Sequence, residues 1–138
     1  MLQSNEFYAN RLRKYYENMG FQVEIENDDE FSPVGVFVSN SPDMSCDWQN
    51  DKITSFYFYF YPKYNRAKSE EDLKFMVHLS SMGVRVEDRG KKIASKFIEG
   101  IIRIFGYDLG YIELDDLSGT DIWRYFANKY DHVEWKFC

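Results

Sequence analysis

Tyr8, Leu12, Tyr15, Tyr16 and Met19 recur three or four positions apart, which predicts an amphipathic helix over residues 6–19 that stops at Gly20. Phe21, Val23 and Ile25 then alternate with Gln22, Glu24 and Glu26, the period of a strand with one buried face. An acidic turn, Asp28-Asp29-Glu30, precedes a second short strand from Val34 to Val38, and residues 39–52, rich in Ser, Asn, Asp and Pro, read as a loop. The clearest strand follows, Ile53 to Tyr61, with Phe56, Phe58 and Phe60 on one face and Tyr57, Tyr59 and Tyr61 on the other. A strand aromatic on both faces expects cover on both, inside a sandwiched sheet. Pro62 and the polar, basic Lys63 to Lys68 stretch end it.

Leu73, Phe75, Val77 and Leu79 alternate next, and Met82, Val84 and Val86 continue in the opposite phase. The one-residue slip at Ser80-Ser81 predicts a β-bulge in a continuous strand from Leu73 to Val86. Ser69-Glu70-Glu71-Asp72 resembles a capping box and offers a competing helix, but alternation fits Leu73 to Val86 better than helical spacing. Ile93, Phe97, Ile98, Ile101, Ile102 and Phe105 form a helical stripe ended by Gly106, followed by a short strand, Tyr111 to Leu114. Ser118 to Asp121 is a second cap, leading into a helix from about Asp121 to Tyr130, and Val133, Trp135 and Phe137 alternate as a last strand. Helix, three or four strands, helix, strand, helix, strand is the order of an α/β domain with a mixed sheet covered by helices.

The 138 residues suffice for one domain, residues 1–138, with a core that needs no disulfide or metal staples. A net charge of -6 argues against a general nucleic-acid binder, which needs a broad basic surface. Cys46 and Cys138 are the two cysteines, and there is no Cys/His cluster with metal-ligand spacing. No aliphatic run approaches the roughly 20 residues that span a bilayer, and the N-terminus lacks a signal pattern. A soluble, cytoplasmic protein without nucleic-acid, membrane or metal partners is the expectation.

Candidate chemistry concentrates between Leu79 and Ile98. An apolar strand runs into Arg89-Gly90, and that turn opens an amphipathic helix. Unpaired backbone N–H groups at such a helix start, with the positive end of its dipole, make an anion site, and Lys91, Lys92 and Lys96 add cations beside it. A phosphate-bearing ligand is implied.

Residues 53–130 resemble the GNAT superfamily of acyl-CoA-dependent N-acetyltransferases. The centre of the resemblance is Leu79-Ser-Ser-Met-Gly-Val84 followed by Arg89-Gly-Lys-Lys-Ile-Ala94. The family pairs a bulged strand with an R-G-x-G-x-G/A turn and a long helix, then a strand, a helix bearing a tyrosine, and a final strand. The resemblance implies a GNAT-like mixed, largely antiparallel sheet with a bulged strand and helices on both faces. It also implies acetyl-CoA as co-substrate and an amine acceptor. Met82, Gly83 and Val84 would pair with the pantetheine arm, and the backbone from Arg89 through Gly90, Lys91, Lys92, Ile93 and Ala94 to Ser95 would hold the pyrophosphate.

Two departures stand out. Lys92 occupies the place of the central glycine, and the family's tyrosine falls on Phe126, with Tyr125 adjacent and Tyr130 one turn on. Tyr125 and Tyr130 are therefore the candidate general acids. Glu113, Asp115, Asp116 and His78 are candidate bases, each also readable as a solvated or packed strand residue. The tyrosine face of residues 57–61 and the acidic 28–30 turn suit a cationic amine. The alternative is a non-catalytic GNAT-like binding or protein-interaction module.

Overall fold

Six strands form a single sheet whose spatial order is their order in the chain. They are β1 (Gln22–Glu26), β2 (Val34–Ser39), β3 (Ser55–Tyr64), β4 (Leu73–Gly83), β5 (Leu109–Leu114) and β6 (Trp135–Phe137). The first four pair antiparallel, while β4 with β5 and β5 with β6 run parallel. Helix α1 (Asn5–Asn18) precedes the sheet, and α2 (Ile93–Phe105) and α3 (Thr120–Lys129) make the two parallel crossovers. The computed structural model describes residues 3–26, 33–44, 52–64, 73–114 and 120–137. The acidic 28–30 turn, Asp115, Asp116, Ser118, Cys46 and Cys138 lie outside the described residues.

Local signals account for most element ends. Ser4 caps α1 by accepting from the Phe7 N–H at 3.2 Å, and Gly20, at φ +96°, turns the chain toward β1. The phase slip becomes a bulge: Tyr57 pairs with Ser81 and Phe58 with Leu79, so Ser80 is the extra residue. Pro62 does not end β3, which continues to Tyr64. Among the described residues, pairing of β2 with β3 begins at Phe60, and beyond it β3 is paired on the β4 side, a setting in which proline's missing N–H is tolerated. Strand β4 stops at Gly83, three residues short of the predicted Val86, because Val86–Asp88 forms a tight 3-10 turn. Strand β5 begins at Leu109, two residues earlier than expected, and β6 at Trp135, two later.

The core lies on the phenylalanine face. Phe56, Phe58 and Phe60 pack with Val34, Val36 and Val38, with Phe75, Val77 and Leu79, and with Ile112 and Leu114 beneath the helices. Phe97 stacks on Phe56 at 5.1 Å and 8°, and Tyr8 stacks on Phe105 at 5.1 Å. Each such ring contributes roughly 2–3 kcal/mol by burial. Gly100 lets α1 come close: a Cβ there would lie 2.7 Å from the Tyr15 ring.

The sheet is mixed and open, with its helices on one side rather than two. Buried side chains of α1, α2 and α3 all enter the same cluster as the phenylalanines. The reason is topological. Both parallel crossovers step the same way along the sheet, and a constant crossover hand deposits both helices on one side. Among the described residues the tyrosine face carries no helix, and Tyr57, Tyr59 and Tyr61 are half-buried there. The Phe/Tyr alternation of β3 thus separates a helix-covered face from a wetter one, a division suited to rings with and without a phenol.

Candidate active site

Among the described residues, strand β4 outruns β5. Its pairing with β5 reaches Leu79–Leu114, whereas its pairing with β3 continues to Gly83–Ser55. One edge of Ser80–Gly83 therefore lies past the last β4–β5 pair, and the chain then passes through Val86–Asp88 into α2. Gly90 sits at φ +85° and Lys92, the residue preceding α2, at φ +61°. Among the described residues no side chain caps α2. The first-turn N–H groups of Ile93, Ala94 and Ser95 thus point out of the helix end, and the left-handed residues before them fold the turn into a concavity lined by backbone.

Asp88 fixes this turn to the sheet. Its buried carboxylate accepts through Oδ2 from Thr54 Oγ1 at 2.8 Å and from Arg85 Nε at 2.7 Å, and Lys91 Nζ lies 3.9 Å from Oδ1. Thr54 Oγ1 also accepts the Arg85 N–H at 3.0 Å, and the Thr54 N–H donates to Asn40 Oδ1 at 2.9 Å. Burial acts to raise the Asp88 pKa, but the hydrogen bonds from Arg85 and Thr54 and the charges of Arg85 and Lys91 together hold it below the usual carboxylate range. Arg89 closes the loop by donating from Nε to the Val84 carbonyl at 3.1 Å.

A cleft of about 520 Å³ opens between these parts. Met82, Gly83 and Val84 form its strand wall, Asp88, Arg89, Gly90 and Lys92 its turn, and Ile93, Ala94 and Ser95 its helical end. Helix α3 supplies the far side with Tyr125 and Phe126. Tyr125 is 56% exposed at the rim and Phe126 2% exposed in the core. Lys129 reaches toward the cleft from α3, with Nζ 3.2 Å from Ser95 Oγ and 5.9 Å from the Tyr125 ring centroid.

Comparison with known protein families, curated proteins and solved structures found no match. The geometry alone therefore sorts the candidates. Of the residues singled out in the sequence, Met82, Gly83, Val84, Arg89, Gly90, Lys92, Ile93, Ala94, Ser95 and Tyr125 meet at one cleft. Lys91 does not line it; its exposed ammonium lies beside Asp88 instead. Tyr130 also stands apart, donating to Glu99 Oε1 at 2.8 Å, and burial followed by that hydrogen bond pushes its phenol well above the ordinary tyrosine value. Glu113 lies on the tyrosine face, where its Oε1 is 3.7 Å from Nδ1 of the buried His78. His78 in turn stacks on Tyr59 at 4.7 Å.

Thr54, Arg85, Asp88 and Lys129 were not legible as site residues. Thr54 meets Asp88 across 34 positions of sequence, and Lys129 meets Ser95 across the same distance. Among the described residues no group of three or more His, Cys, Asp or Glu side chains is placed to hold a metal ion, and no helix is long and apolar enough to cross a membrane.

Proposed function

We propose that this chain is an acyl-CoA-dependent N-acetyltransferase of GNAT type, acting on an amine. The observation that carries the reading is the cleft formed where β4 outruns β5 directly at the uncapped start of α2. The donor set fits a diphosphate: consecutive backbone N–H groups converge at the positive end of a helix, with Arg89 and Lys92 at the turn. The end of β4 at Met82 and Gly83, past the last pair with β5 among the described residues, is an edge to which an extended amide-bearing arm can hydrogen-bond.

In this reading the backbone of Gly90 to Ser95 holds the diphosphate of acetyl-CoA, and Met82 to Val84 align its arm along the cleft. Holding the thioester beside a bound amine supplies proximity. The neutral amine nitrogen attacks the carbonyl carbon, the new C–N bond forms, the C–S bond breaks, and the surplus proton on nitrogen passes to solvent. Tyr125, the phenol at the rim, donates its proton to the departing sulfur, a role closed to the buried Phe126. Lys129 stands where its charge favours the resulting phenolate. The net charge of -6 favours a cationic acceptor.

Calorimetric titration with acetyl-CoA and with CoA tests the reading. Micromolar affinity is expected, followed by thiol release when amines are supplied. Absence of binding at millimolar ligand would overturn it. Binding without release from any amine would instead favour a module that retains the cofactor and no longer transfers, the reading that Lys92 and Phe126 would then support.

A further inference from the structure

The open face of the sheet carries a second cavity, independent of the cleft. It holds about 480 Å³ and is lined by Glu26, Pro33, Gly35, Tyr57, Tyr59 and Tyr61. Strand register explains its shape. Glu26 pairs with Gly35, and Gly35 with Tyr59, so the three form one row across β1, β2 and β3. Adjacent strands are about 4.8 Å apart, which sets Glu26 and Tyr59 about 10 Å apart across a position without a side chain. A Cβ on Gly35 would meet Glu26 Cβ at 3.5 Å and Glu26 Oε2 and the Phe37 ring at 3.6 Å each, so the Glu26 carboxylate and the Phe37 ring border this position closely. Gly35 thus lines a groove that the Glu26 carboxylate borders on one side and the tyrosine rings on the other.

The walls are braced. Tyr57 stacks on Phe37 at 4.2 Å and Tyr59 on His78 at 4.7 Å, so the rings are held in place before any ligand arrives. Among the described residues no lysine or arginine pairs with Glu26. Lys63, two residues beyond Tyr61 along β3, donates to the Tyr111 hydroxyl at 2.8 Å. Electron-rich ring faces on one side and a carboxylate on the other complement a compact positive charge wrapped in carbon.

We infer that this groove binds small organic cations of the alkylammonium class, the charge seated between Glu26 and Tyr59 over Gly35. The site needs neither acetyl-CoA nor the transferase reading.

Nuclear magnetic resonance titration of the whole chain with choline, and with its uncharged isostere in which carbon replaces the ammonium nitrogen, tests it. Choline should shift the Gly35 amide and the ring signals of Tyr57 and Tyr59 saturably in the millimolar range, and the isostere should bind at least about tenfold more weakly. Gly35→Val fills the groove with a residue that strands favour and should abolish saturation. Glu26→Gln leaves the shape intact and should weaken choline roughly threefold or more. Equal binding of the isostere, or choline binding unchanged in Glu26→Gln, overturns the proposal. Glu26→Gln decides the matter even if Gly35→Val disturbs the sheet, and CoA titration of both variants should match the unsubstituted chain.

Discussion

Asp88→Ala isolates what holds the turn in place. The substitution leaves the Thr54 hydroxyl, fully buried at 0% exposure, without its acceptor. An unsatisfied buried group of that kind costs about 1–3 kcal/mol. Arg85 keeps 39% of its side chain in solvent, so the ion pair it loses is well screened, and the Lys91 contact at 3.9 Å adds nothing measurable. The expected loss is therefore about 1–3 kcal/mol at neutral pH, read from urea unfolding followed by circular dichroism. The pH dependence carries its own sign. The carboxyl titrates below the usual 3.8 in the folded chain, so its stabilisation is complete above that value. It fades as pH falls further, because the unfolded chain takes up the proton first. The alanine variant should lack that part of the acid sensitivity. A double-mutant cycle with Thr54→Val should return a coupling of about 1–2 kcal/mol. A variant within about 0.5 kcal/mol of the unsubstituted chain, with an unchanged acid limb, would refute the account.

Lys92→Gly should raise stability by about 0.5–1 kcal/mol, since glycine adopts the left-handed conformation at φ +61° without the penalty a side chain incurs; a lower urea midpoint would contradict this. Gly90→Asp should abolish CoA binding by placing negative charge and bulk in the concavity, and calorimetry showing unchanged affinity would remove the phosphate assignment. Tyr125→Phe should lower turnover while leaving cofactor affinity within about twofold, and full activity would exclude it as the acid. Tyr16→Phe removes a buried hydroxyl that donates to the Phe97 carbonyl at 2.7 Å and should cost about 1 kcal/mol in chemical denaturation.

Periodicity made the elements legible. The Phe/Tyr alternation marked β3, and the phase slip at Ser80-Ser81 marked the bulge, because side-chain alternation is a direct image of backbone pairing. Sidedness was not legible. Aromatic residues on both faces of β3 suggested cover on both, but whether α2 and α3 fall on one side depends on how the crossovers step, which alternation does not encode. Pro62 misled for a related reason: whether proline ends a strand depends on the neighbour at that point, and among the described residues β2 offers no pair beyond Phe60. At the cleft, the turn and helix start were visible as a local pattern. The groups that steady them were not, since Thr54 and Asp88 are joined only by folding. Tyr130 had the right residue type and the wrong direction, its hydroxyl committed to Glu99.

The chain-order arrangement of the sheet bears on how the protein is made. Each strand bonds the one synthesised just before it, so the antiparallel meander of residues 22–83 can zip up behind the ribosome with short loop closures. Helix α1, made first, already sets Tyr8 on Phe75 and Tyr16 on Phe56 and Phe58, but the rest of the phenylalanine face waits for residues 93–105, because Phe97 supplies both the ring that stacks on Phe56 and the carbonyl that receives the Tyr16 hydroxyl. During that interval the nascent chain displays a four-stranded meander with its aromatic surface only partly roofed, a natural client for a holding chaperone. A fragment cut after Gly83 should pair its strands and then aggregate, whereas one extended through Phe105 should remain in solution.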